Sequence, residues 1–77
     1  MAVKEIAQKY MFYTLSQDGD RYLLEVVCGT VGIYELVIEL SAQETAQFLE
    51  NGIPWIEAMA IAIRNRPGDY IARRVKG

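Results

Sequence analysis

Histidine is missing from this chain, and cysteine, tryptophan and proline are scarce, at one, one and two residues. Without histidine there is no imidazole base, no imidazole ligand for zinc or iron, and no Ser-His or Cys-His pair. One thiol, Cys28, can form neither an internal disulfide nor a four-ligand structural zinc site. Catalysis would have to rest on carboxylates or lysine alone. A binding role therefore takes precedence over an enzymatic one, and neither a metal nor a cofactor is expected. Every apolar run falls short of the roughly 20 residues of a membrane-spanning helix, and Glu57 interrupts the best of them. No stretch reads as a signal peptide, and with a lone thiol the expected setting is the cytoplasm.

The 77 residues carry ten acidic and eight basic side chains, a net charge of −2. That length suits one domain, residues 1–77, which buries only a little over ~60% of the surface its unfolded chain exposes and so gains from any association that buries more. The charge is unevenly spread. Arg64, Arg66, Arg73, Arg74 and Lys76 against Asp69 give residues 64–77 a charge of +4, leaving −6 for residues 1–63.

Residues 10–28, YMFYTLSQDGDRYLLEVVC, contain two β-rich runs around Asp18-Gly19. An Asp-Gly pair suits the two positive-φ positions of a type I′ turn. The predicted loop pairs Leu15 with Tyr22, Tyr13 with Leu24 and Met11 with Val26 across one apolar face, with Tyr10, Phe12, Leu23, Glu25 and Val27 on the other. A second hairpin follows, with Thr30, Val31 and Gly32 as its loop and Gly32 as the left-handed residue. It pairs Cys28 with Tyr34, Val26 with Leu36 and Leu24 with Ile38. The adjacent register would set Glu25 opposite Glu35, which like-charge repulsion disfavours.

At LSAQETAQFLENGI the period changes from two to about 3.6. Ser41 and Glu44 have the spacing of a capping box, and Gly52 stands where a left-handed C-cap residue is expected. Thr45, Ala46, Phe48 and Leu49 form the predicted buried stripe of this helix. Pro54 opens a second helix, with Trp55, Ile56, Met59, Ala60 and Ile63 on its core side and Glu57, Ile61, Arg64 and Asn65 opposite. Pro67 and Gly68 end it. Residues 68–77 are then a basic C-terminal segment, either an edge strand or a frayed turn, and residues 3–9 fit either a helical stripe or an extension of the first strand.

Two surfaces stand out as candidate sites. Tyr10, Phe12, Leu23, Val27 and Val37 make an apolar patch on the outer sheet face, rimmed by Arg21, Glu25, Glu35 and Glu39, and a contiguous patch of that kind marks an interface. Arg73, Arg74 and Lys76 are free to contact an anion such as a nucleic-acid phosphate, although helix-end chemistry and protection of a sheet edge cover Arg64, Arg66 and Arg73 at once and take precedence. The carboxylates read as solvated charges, and Asp18 and Asp20 lack the further oxygens of a calcium loop. The expected fold is α+β: a three-stranded antiparallel meander, with room for a fourth, C-terminal strand, covered on one face by two consecutive helices. The expected function is that of a small non-catalytic interaction module of adaptor or immunity type, binding a protein partner or a second copy of itself. The alternative is a nucleic-acid or acidic-partner binder using the C-terminal arginines.

Overall fold

The period-two stretches form strands and the period-3.6 stretches form helices in the computed structural model, which describes residues 3–29 and 32–75. Four strands, β1 (Lys4–Lys9), β2 (Tyr13–Asp18), β3 (Arg21–Cys28) and β4 (Tyr34–Glu39), make one antiparallel sheet in the order β1-β2-β3-β4. The helices α1 (Ala42–Asn51) and α2 (Ile53–Asn65) follow, then two short 3₁₀ turns at Pro67–Asp69 and Ile71–Arg73. The fold is therefore α+β, a meander packed against two helices. Its fourth strand comes from the N-terminal residues, not the C-terminal ones. Among the described residues the C-terminal segment adds one antiparallel bridge, between Arg74 and Ile38, with the Val75 N–H donating to the Val37 carbonyl at 2.8 Å.

The second hairpin has the predicted register, with Cys28 opposite Tyr34, Val26 opposite Leu36 and Leu24 opposite Ile38. Gly29 of this loop is left-handed, at φ 109°, and a Cβ there would collide with the Gly32 carbonyl. Thr30 and Val31, the rest of the predicted loop, lie outside the described residues. The first hairpin differs from expectation by one loop position: Gly19 and Asp20 form the turn, so Tyr13 faces Val26 and Leu15 faces Leu24. Only Gly19, at φ 64°, is left-handed in this turn. That is the pattern of a type II′ turn, which needs a glycine at its first central position alone. Each partner moves by two residues, so every side chain keeps its face.

The inner face of the sheet is the core. Leu15, Leu24, Val26, Leu36 and Ile38 are buried there beneath Ile56, Met59, Ala60 and Ile63 of α2. Helix α1 contributes less than its periodicity predicts. Of its expected stripe only Phe48 is buried, set edge-on against Tyr22 with ring centroids 5.5 Å apart, while Ala46 is exposed and Leu49 is 66% exposed. The predicted capping box is present: Ser41 Oγ accepts from the Glu44 N–H, and the Ser41 N–H donates to Glu44 Oε1 at 2.9 Å. Gly52 ends α1 at φ 78°, donating to the Phe48 carbonyl.

Glu44 also holds the C-terminal segment. Its carboxylate accepts two hydrogen bonds from the Arg73 guanidinium, at 2.9 and 2.5 Å, and Arg73 donates a third to the Glu39 carbonyl at 3.1 Å. The Arg73 bonds, helped by the Ser41 N–H, hold the Glu44 carboxyl below the usual carboxylate range despite its partial burial. A depressed folded pKa gives stability that is whole above the unfolded value of about 4.3 and is lost as pH falls through the folded one. Glu44→Gln keeps the cap but loses the charge. In urea titrations at neutral pH it is expected to be about 1–2 kcal/mol less stable than the parent, a value reduced from that of a buried charged bond because Arg73 is partly exposed. The gap should shrink below about pH 4, and a gap that stays constant down to pH 3 refutes the clamp.

Candidate functional site

An antiparallel meander puts the end of β1, the start of β2, the end of β3 and the start of β4 at one end of the sheet. The β1–β2 turn closes there with the Phe12 N–H donating to the Lys9 carbonyl, and the Val27 N–H donating to the Phe12 carbonyl extends the β2–β3 ladder by one residue. Phe12 thus sits beside Val27. Its ring packs on the margin of the core, meets Tyr13 edge-on at 5.1 Å, and carries the Arg64 guanidinium 5.0 Å from its centroid. Arg64 occupies the last turn of α2, where a cation also complements the helix dipole.

Met11, at the tip of this turn, has φ 57°. Few residues other than glycine, asparagine and aspartate adopt that conformation cheaply. The strained backbone leaves Met11 exposed, away from the position opposite Val26 that the sequence pattern predicts, and Tyr13 takes that place. Tyr10, beside it, is 86% exposed.

On the outer sheet face the registers set three rows across the strands. Phe12 leads to Val27 and Glu35, Thr14 to Glu25 and Val37, and Ser16 to Leu23 and Glu39. Leu23, Val27 and Val37 are half-buried although no helix covers them. Apolar and acidic side chains therefore interleave, and Glu25 falls inside the predicted patch instead of on its rim. Beside the turn, the row of Phe12 borders an open concavity of about 190 Å³ lined by Tyr10, Met11, Phe12, Val27, Glu25 and Glu35 among others. Three of the five predicted interface residues, Tyr10, Phe12 and Val27, line it, and Leu23 and Val37 lie further along the same face. Such a volume is below the roughly 300–1,000 Å³ of pockets that enclose a drug-sized ligand. It has room for a single side chain.

The charges around the site are sorted. Glu39 is paired with Arg21 at 3.0 Å, while among the described residues Glu25 and Glu35 have no cationic partner. Lys9 also borders the concavity, but its ammonium turns to Glu57 of α2 at 3.7 Å. Glu57 in addition accepts from the Tyr13 hydroxyl, and the phenol pKa is raised, by burial first and by that carboxylate second.

Of the basic C-terminal candidate Arg73, Arg74 and Lys76, only Arg73 is engaged by the fold among the described residues. Arg73 is clamped to Glu44, Arg66 is paired with Asp69, and Arg64 lies over Phe12. Arg74 is exposed, and Lys76 lies outside the described residues. Among the described residues, no three His, Cys, Asp or Glu side chains converge as a metal cage would, and no helix is long and apolar enough to cross a membrane. No protein-family model, curated protein or solved structure matches the chain. The reading of the site therefore rests on its geometry.

The strain at Met11 can be measured apart from any partner. Met11→Asn supplies a residue that tolerates φ > 0, so chemical denaturation is expected to give unchanged stability or a gain of up to about 1 kcal/mol. A loss of more than about 1 kcal/mol would mean that the methionine side chain contributes packing that its exposure does not suggest.

Proposed function

We propose that this protein is a small non-catalytic interaction module that binds another protein, or a second copy of itself, through the outer face of its sheet at the end marked by the Tyr10–Phe12 turn. One observation carries the reading. The two helices cover one sheet face only, and the other presents Leu23, Val27 and Val37 beside a concavity walled by Phe12 and Val27. Apolar surface left in the open at a concave site is the usual mark of docking. A domain of this size also gains stability from burying more surface.

Both sheet edges favour association by the face over growth by the edge. The β4 edge is occupied at Val37 and Ile38 by the C-terminal segment, and β1 carries a bulge between Glu5 and Ala7 with a lysine at each end. Bulges and edge lysines hinder the addition of another strand. A buried single thiol suits a reducing compartment, and we place the module in the cytoplasm on that ground. The nucleic-acid alternative is weakened because Arg64, Arg66 and Arg73 already have partners within the chain.

Capture from the source cell tests the reading. The parent chain is expected to retain a stoichiometric partner, or to sediment as a dimer, and Leu23→Lys/Val37→Lys is expected to lose either property while keeping its urea midpoint. A partner or dimer held equally by both chains sinks the proposal.

A further inference from the structure

The concavity at the Tyr10–Phe12 turn pairs an apolar wall with two carboxylates, and that combination restricts what it can hold. Phe12 and Val27 offer carbon surface, Tyr10 stands exposed at the rim, and Glu25 and Glu35 close the side toward β3 and β4. An aliphatic or aromatic side chain would cover the carbon surface and strip water from the carboxylates without replacing it, which is costly. A carboxylate ligand would be repelled. A side chain with a carbon stem and a cationic head satisfies both parts at once.

The whole outer face repeats this pattern. By alternation it carries Glu5, Asp18, Glu25, Glu35 and Glu39 against Arg21, a net charge of −4, interleaved with Leu23, Val27 and Val37. Two copies meeting through this face would bring −4 against −4, so the face is poorly suited to self-pairing. Among the described residues that line the concavity the one cation is Lys9, and its ammonium is turned away by Glu57.

Resting on the outer-face reading above, we infer that the occupant is a basic side chain, arginine before lysine, projecting from a different, cationic protein into the concavity of Phe12, Val27, Glu25 and Glu35. Arginine is favoured because its planar fork can bond carboxylates in pairs and lie over an aromatic ring, as the Arg64 guanidinium already does 5.0 Å from the Phe12 centroid. The lysine ammonium makes neither contact as well. The neighbouring rows then take further basic or apolar residues of the same partner surface.

The test uses the full isotope-labelled chain and three capped tripeptides, acetyl-Ala-X-Ala-amide, with X as arginine, norleucine or glutamate. The arginine peptide is expected to move the amide signals of Phe12, Glu25, Val27 and Glu35 in the millimolar range. Norleucine, which keeps the stem and lacks the charge, should bind about tenfold or more weakly, and glutamate should leave these signals unmoved. Glu25→Gln/Glu35→Gln, two changes on the outer face that spare the core, should weaken the arginine peptide by about tenfold and remove its salt dependence. Equal binding of the arginine and norleucine peptides overturns the inference while leaving an apolar docking face in place. A captured partner that is lost with Leu23→Lys/Val37→Lys but kept by Glu25→Gln/Glu35→Gln does the same. A parent chain that sediments as a dimer, and as a monomer once it carries Leu23→Lys/Val37→Lys, makes the occupant a second copy and overturns it as well.

Discussion

The burial of Leu24, Val26 and Cys28 on the inner side of β3, between Leu15 and Tyr13 on one neighbour and Leu36 and Ile38 on the other, decides which face of the sheet is which. Side chains alternate along a strand, so once these residues face α2, Leu23, Glu25 and Val27 must face away. Among the described residues the two helices pack on that inner face only. The outer face is thus left open by the same constraint that builds the core. Its half-buried apolar residues follow from sheet geometry, but their interleaving with carboxylates depends on which residue occupies each outward position.

The charges divide along the same line. Glu44, Glu57 and Asp69 each hold a cation: Arg73 at the start of α1, Lys9 at the edge of the sheet and Arg66 after α2. Arg73 matters most among these, because its guanidinium joins the β4 end, the α1 cap and the C-terminal segment through three hydrogen bonds. The exposed pairs contribute little energy by themselves. The +4 of residues 64–77 already counts Asp69, so among these pairs only Arg73–Glu44 lowers the positive charge of the C-terminal stretch, while Glu25 and Glu35 on the outer sheet face have no cationic partner among the described residues.

Much of this architecture is legible in the sequence, because the features concerned are local. Ser41 and Glu44 lie three residues apart, Gly52 follows its helix directly, and the β3–β4 register follows from keeping Glu25 away from Glu35. The parts that are not legible depend on distance or on backbone choice. Asp18-Gly19 and Gly19-Asp20 are both acceptable turns, and the cross-strand packing of Tyr13 and Leu15 selects the second. Residues 3–9 become β1 only because β2 has a free edge to receive them, and the segment itself stays exposed. Arg73 meets Glu44 from 29 residues away, which no periodicity reveals. The outer face is intermediate: Leu23, Val27 and Val37 fall where alternation puts them. Phe12, placed by alternation on that face opposite Glu25, instead sits beside Val27 and is drawn by Arg64 and the core margin to the border between the faces.

That border position has a consequence for recognition. Phe12 is held from the helix side by Arg64 and from the strand side by Tyr13, so the wall it offers the concavity is fixed before any partner arrives. A wall already held in place spares a binding event much of the ordering cost that a mobile side chain would add. Tyr10 and Met11 are the opposite case, exposed on a two-residue tip whose backbone is strained at Met11. In the docking proposed above, the fixed Phe12 wall and the two carboxylates would select the chemistry of the incoming side chain, while the exposed tip would meet the surface that carries it.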